Sequence, residues 1–224
     1  MISYSQLGQD LDVLNLYSNK TEGTFIEIGA SDGITLSNTY LLEQFGWKGI
    51  CVEPIPEQYE LLQKNRTSIN VNKAVYNLSG QDITFTVAPD SFFSGITSEI
   101  DKYPSVKDTG TTISVKTISL NDLISESGLP TFIDYLSLDT EGSEYEILKA
   151  LDFSKYKFGT IHVEHNYVMP KREQISSLLL SNGYRFLKQN RHDDYYVHES
   201  VIVSANSRRE ISRFFWNKKF SGIN

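Results

Sequence analysis

A nine-residue stretch constrains this chain more than any other: FIEIGASDG, Phe25 to Gly33, an apolar strand running straight into a glycine-bracketed turn. Phe25, Ile26 and Ile28 favour extended backbone, and Gly29 permits the conformation and close approach that a turn beneath a ligand needs. Glu27 interrupts the run. A carboxylate in a central strand is costly unless satisfied, so Glu27 is either paired internally or reaches a polar ligand at the strand end. About twenty residues on, GICVEP reads as a second strand with Glu53 at its carboxyl end, where an acid is the usual partner of ribose hydroxyls. The glycines depart from the G-x-G-x-x-G of dinucleotide binders, and a polar loop, SDGITLSNT, intervenes before helical spacing resumes at Tyr40. That departure points to S-adenosylmethionine rather than a nicotinamide dinucleotide. The bland alternative, for either motif alone, is an α/β strand-turn with an incidentally capped acid.

The remaining pattern alternates. Ser5 is expected to cap a helix carrying Leu7, Leu11, Val13, Leu14 and Tyr17, with residues 1–20 folding over the ligand edge of the sheet and bringing Gln9 there. Pro56 opens a helix through EQYELLQKNR, and INVNKAVYN is predicted as a third strand whose end brings Ala74 near the cofactor, as Pro54 follows Glu53. DITFTVA and TTISVKTIS alternate as strands around a long loop, PDSFFSGITSEIDKYPSVKDTG, a candidate lid carrying Ser94 and Gly95. Then come the helix SLNDLISESG, the strand IDYLSLD, the helix EGSEYEILKALD, the strand TIHVEHN, the helix KREQISSLLLSNG, and the closing strands GYRFLKQ and DDYYVHESVIVS. The expected fold is a single α/β domain over 1–224, a three-layer α/β/α sandwich on a mostly parallel sheet with an antiparallel last strand.

With 224 residues the chain can bury one sizeable core. A net charge of −7 argues against broad binding to nucleic acid, which calls for a basic footprint. Cys51 is the only cysteine, which excludes an internal disulfide and a thiolate zinc cluster. No apolar run is long enough to span a membrane and the N-terminus has no signal-like core, so a cytoplasmic setting is expected.

Acids gather where the sheet should open. Asp139 ends the strand IDYLSLD with Glu141 beside it, and the next strand delivers Glu164, His165 and Asn166 to the same edge. Glu144 and Glu146 are explained by the dipole of the following helix. A hydroxyl that attacks a methyl sulfonium needs a base or a metal. His165 is one candidate, with an ordinary pKa near 6.5 and the rate contribution of about 10² to 10⁴ typical of a positioned base. Asp139, Glu164 and Asn166 form an all-oxygen set suited to Mg²⁺ or Mn²⁺, compatible with that base, and a metal-free hydrogen-bond network is the alternative. His162 shares a face with Glu164 and is expected in the core.

Taken together, SQLGQD, FIEIGASDGITLSNTYLLE, GWKGICVEP, NKAVY, SGI, LSLDTEGSEYEIL, IHVEHN and NGYRF resemble the FkbM-type methyltransferases, in order and spacing, over most of Ser5 to Phe186. The resemblance implies a Rossmann-like class I fold, S-adenosylmethionine as cofactor and O-methyl transfer to a hydroxyl, commonly of a sugar or polyketide. It carries the family's cofactor loop onto Glu27, Gly29, Ala30, Asp32 and Gly33, with Ser37 and Asn38 following, the ribose acid onto Glu53, and the substrate-side acid onto Asp139. The expected partner is a sugar or glycan acceptor. A methyltransferase for another hydroxyl or an amine, and a non-catalytic cofactor-binding module, are the competing readings.

Residues 207–224 depart from the pattern. SRREISRFFWNKKF is basic and aromatic in an otherwise acidic chain, suited to peripheral membrane contact, glycan binding, a homodimer cap, or packing on its own domain.

Overall fold

Residues 1–100 and 104–203 are described by the computed structural model; the C-terminal segment 207–224 lies outside them. The strands are β1 (Thr24–Ile28), β2 (Lys48–Val52), β3 (Ile69–Val71), β4 (Ala74–Tyr76), β5 (Asp82–Val87), β6 (Gly95–Ile96), β7 (Thr111–Ser119), β8 (Phe132–Leu138), β9 (Lys157–Glu164), β10 (Tyr184–Asn190) and β11 (Asp193–His198). The helices are α1 (Gln9–Leu16), α2 (Tyr40–Gln44), α3 (Pro56–Asn65), α4 (Pro104–Thr109), α5 (Leu120–Ser127), α6 (Glu144–Lys149), α7 (Met169–Ser181) and α8 (Glu199–Val203).

Seven strands form one sheet in the order β10-β11-β9-β8-β1-β2-β3. β3, β2, β1, β8 and β9 run parallel, and β11 enters antiparallel between β9 and β10. The period of two along each strand sorts side chains into two layers. Ile26 and Ile28, Ile50 and Val52, and Leu136 and Leu138 pack with Leu123 of α5, Ile147 of α6 and Ile175 of α7. Phe25, Cys51 and Tyr135 point to the other side, against Val13 and Leu14 of α1, Leu42 of α2 and Leu62 of α3. The expected α/β/α sandwich with an antiparallel strand is thus present.

Several expectations are corrected. INVNKAVYN is two strands, because the chain leaves the main sheet after Val71 and re-enters β structure at Ala74 in a second, four-stranded sheet ordered β4-β7-β5-β6. DITFTVA and TTISVKTIS belong to that second sheet, closed over Ile55, Ala74, Phe85, Ile96 and Val115. The long loop between them is structured in part, with a 3-10 turn at Ser91–Phe93, the strand β6 and the helix α4. At the N-terminus the helix starts at Gln9, with Gly8 at φ +78° before it. Ser5 instead pairs with Leu36 and bonds the buried Asp10 carboxylate at 2.7 Å. The last strand ends at His198, where α8 begins.

Candidate active site

The carboxyl ends of β1, β2, β8 and β9 converge. Gly29 follows β1 at φ +86°, and a Cβ there would lie 2.1 Å from the Asp139 carbonyl oxygen, so a side chain is excluded twice over. Two hollows meet across this contact. One, of about 90 Å³, is walled by Ile55, Val75, Phe85 and Ile96 with Glu53 and Lys73 among its polar groups. The other, a cleft of about 370 Å³, is walled by Gln9, Asn38, Asp139, Glu141, Glu164 and His192, among others. Gly29, Ser31, Phe92, Asp139 and Glu141 border both.

Glu53 is nearly buried, and its two oxygens accept from Ser31 N at 2.9 Å and Ile55 N at 2.8 Å. Burial pushes its carboxyl up to about 7 against those two bonds. Pro54, Ala74 and Ser94 line the same hollow. Gly95 packs beneath, where a Cβ would sit 3.2 Å from the Thr140 carbonyl.

Glu27 takes the internal option. Its carboxylate accepts from Thr39 Oγ1 at 2.6 Å, Asn38 N at 2.6 Å, Ser37 Oγ at 2.9 Å and Arg66 at 3.3 Å. Arg66, also buried, reaches Glu43 at 2.7 Å, so one guanidinium fastens β1, the loop before α2 and the end of α3. Glu27 still borders the cleft, as do Ala30, Ser37 and Asn38. The Asn38 amide donates to Ser137 at 2.9 Å, while its buried Oδ1 has no hydrogen-bond partner. Asp32 and Gly33 border neither hollow. Asp32 closes its own turn, accepting from Ile34 N and Thr35 N at 2.9 and 2.7 Å. Gly33 gives way to Arg66, whose Cγ would be 2.7 Å from a Cβ.

Asp139, Glu141 and Glu164 offer oxygens within 4.8 Å of one another. Asn166 joins the last two, its Nδ2 donating to Glu141 at 3.0 Å and to Glu164 at 2.5 Å. Protein packed round Asp139 strips it of water and, with the Asp193 carboxylate, holds it above the usual carboxylate range. Glu164 is likewise raised, by burial and then by Asp139, and the two carboxyls share a hydrogen bond. Three residues here adopt the left-handed backbone that side chains disfavour: Glu141 at φ +57°, Asn166 at +47° and Tyr167 at +61°. Of the set Asp139, Glu164 and Asn166, the amide presents its NH₂ group to the acids, the orientation of a hydrogen-bonded network rather than of a metal ligand.

His165 is not brought to this cleft. It is one residue beyond Glu164 and therefore faces the opposite side of the sheet. Its Nε2 is 3.6 Å from Asp194, which Arg172 clasps at 2.7 Å, and its Nδ1 accepts from Tyr167 N at 3.0 Å. The expectation of His165 as base is corrected on that ground. His162 is a core residue, stacked on Tyr195 with ring centres 3.5 Å apart and bonded to the Tyr135 hydroxyl at 3.1 Å.

Several residues in or behind the walls escaped the sequence reading. Asp193 lies opposite Glu164 in register, and Gln9 Nε2 donates to it at 2.8 Å. His192 bonds Gln6 at 2.8 Å. Phe92 and Phe93, 40% and 36% exposed, stand at the rim of the cleft. Arg66 had a usable signal: it is the only arginine before Arg172, in a chain with an acid inside its first strand.

The model of the methyltransferase FkbM domain matches residues 27–186, well over half of the chain. The protein belongs to the FkbM methyltransferase family. It is accordingly an S-adenosylmethionine-dependent methyltransferase, and the paired hollows meeting at Gly29, with the unpartnered Asn38 Oδ1 in the wall, fit such a cofactor. Among solved structures, the chain is similar to a putative RNA methyltransferase from Pyrococcus horikoshii (12% identity, TM-score 0.44, 86% of this chain and 82% of that one). It is also similar to precorrin-6y C5,15-methyltransferase from Geobacter metallireducens (12%, TM-score 0.44, 84% and 86%). M. capricolum TrmK, in complex with S-adenosylhomocysteine, is a third (14%, TM-score 0.42, 88% and 67%). A search of curated proteins finds no match. Among the described residues, no helix is long and apolar enough to cross a membrane.

Proposed function

We propose that the methyl acceptor is a sugar hydroxyl, within a glycan in preference to a nucleotide-linked sugar. The observation that carries this is the wall of the wider cleft: carboxylates, amides and hydroxyls beneath Phe92 and Phe93, with no lysine or arginine among the described residues that line it. Carboxylates and amides accept and donate to the hydroxyls of a polyol, and aromatic rings cover the apolar face of a pyranose. A phosphate entering the same space would meet like charge.

In this reading Glu53 holds the ribose hydroxyls, the apolar wall of Ile55, Val75, Phe85 and Ile96 covers the adenine, and Gly29, Asn38 and Asp139 border the methionine end. When bound, the cofactor supplies a methyl group on a sulfonium, which departs as a neutral thioether. The protein must orient the hydroxyl in line with that methyl and take up its proton. The Asp139 and Glu164 pair is suited to the second task, since a carboxylate whose pKa has risen toward neutrality is a better base than an ordinary one. Asn166 keeps Glu141 and Glu164 at a set spacing. A divalent cation among these acids enters the reading only as an arm of the test.

The acid wall also suits an ammonium, which favours an amine acceptor as the second reading. The test is methyl transfer from labelled S-adenosylmethionine to neutral oligosaccharides, nucleotide sugars and primary amines, each with EDTA and with Mg²⁺ or Mn²⁺. O-methylated neutral glycan is expected. Transfer only to amines would replace the lead reading with the second, and transfer only to nucleotide sugars would overturn the argument from charge.

A further inference from the structure

Lys171, in the first turn of α7, borders neither hollow, yet it is bonded to the turn that carries Glu141. Its Nζ donates to the Gly142 carbonyl at 2.7 Å, to the Glu99 carboxylate at 3.2 Å and to the Glu99 carbonyl at 3.3 Å. Tyr76 of β4 donates to the other Glu99 oxygen at 2.8 Å. Glu99 lies three residues beyond Ile96, the end of β6 and a wall residue of the narrow hollow, and its amide bonds the Ile96 carbonyl at 2.8 Å. The backbones are in contact as well: Gly142 sits at φ +129°, and a Cβ on it would lie 2.2 Å from the Glu99 carbonyl oxygen.

The turn from Thr140 to Gly142 is therefore gripped from two sides. From within, Glu144 accepts from Thr140 N at 2.8 Å and Gly142 N at 3.2 Å. From outside, Lys171, itself held by Glu99, donates to the Gly142 carbonyl. Glu141 stands between the grips at φ +57°, a conformation that persists only where its surroundings impose it. Releasing the outer grip would let Glu141 relax toward ordinary backbone and swing its carboxylate away from Asn166.

We propose that Lys171, with Glu99 as its counter-ion, is a positioning residue for methyl transfer, holding the Glu141 turn in its left-handed form and tying it to the strand beside the cofactor hollow. It acts through Glu141 and the sheet, and touches neither cofactor nor acceptor. The proposal rests on the acid cluster being the acceptor side of the site.

The test compares wild type, K171M and K171R by three measurements: amide hydrogen exchange, isothermal titration with S-adenosylhomocysteine, and kcat against KM for S-adenosylmethionine. In K171M, exchange across residues 139–144 should quicken by about tenfold or more while β8 and the rest of α7 keep wild-type protection. Affinity for S-adenosylhomocysteine should stay within about threefold, kcat should fall about tenfold at unchanged KM, and K171R should restore most of both losses. Unchanged exchange at 139–144 would overturn the proposal, as would loosening spread evenly over α6 and α7 or an equal loss in K171R. Failure of wild type to bind S-adenosylhomocysteine would count against the cofactor assignment instead, and the exchange comparison in the free protein would still decide on Lys171.

Discussion

Gly29 and Asp139 are in backbone contact: the site of a Cβ on the glycine is 2.1 Å from the aspartate carbonyl oxygen, and Asp139 N in turn bonds the Ile28 carbonyl at 3.2 Å. The turn after β1 and the turn after β8 thus form one floor beneath both hollows. G29A must open that floor and also force alanine to φ +86°. We expect a loss of more than about 2 kcal/mol in urea unfolding, with S-adenosylhomocysteine binding abolished in whatever fraction folds.

Arg66 offers a second test, on stability. R66M would leave Glu27 and Glu43 without the cation that both contact in the interior. Removing one member of a buried charge network costs about 3–5 kcal/mol. R66K, which keeps the charge but loses the planar fork that reaches both acids, should fall between the two. Equal urea midpoints for R66M and wild type would refute this account of Glu27.

The acid site separates the two candidate bases. D139N should lower methyl transfer by about 10² to 10⁴ while S-adenosylhomocysteine still binds. H165Q, altering a group on the far side of the sheet, should leave kcat within about threefold of wild type. Loss of activity in H165Q with normal unfolding behaviour would restore histidine as the base.

The pH dependence of stability has a definite sign. Glu53 is raised from 4.5 to about 7 and Asp193 from 3.8 to about 6, both chiefly by burial, so the folded chain holds protons that the unfolded chain has released. Stability therefore falls as pH rises from about 4 through about 7, by up to roughly 3 kcal/mol per group. Glu43 and Asp32 are lowered, and they act oppositely as pH drops below the normal carboxylate range. We expect the Tm of the free protein to be several degrees lower at pH 8 than at pH 6, at about 2–4 °C per kcal/mol for a chain of this size. A Tm that rises between those two values would contradict it.

How far the sequence was legible follows the range of each interaction. The strand and turn around Gly29, the acid at Glu53 and the gathering of Asp139, Glu141 and Glu164 rest on local pattern and on where strands end, and they could be read. So could the split of Ile26 and Ile28 from Phe25, which is the period of two. Arg66 as partner to Glu27, Asp193 opposite Glu164 and Lys171 on Gly142 are pairings between distant segments. They depend on strand register and helix placement that no local pattern encodes. His165 went astray for a sharper reason: whether a side chain faces a site at a strand end depends on a single residue of register. The alternation in Ile83, Phe85 and Val87 announced a strand but not the sheet to which it belongs.

The departure of the chain from the main sheet between Val71 and Ala74 carries a broader consequence. From there to Ser119 the polypeptide builds a second, four-stranded sheet, and two residues of this stretch, Phe92 and Phe93, stand at the rim of the wider cleft. The same stretch supplies Val75, Phe85 and Ile96 to the narrower hollow, so one excursion from the main sheet helps to wall both. A change of length or sequence in it would reshape the rim and the narrower hollow together, while the seven-stranded frame and its register stayed intact.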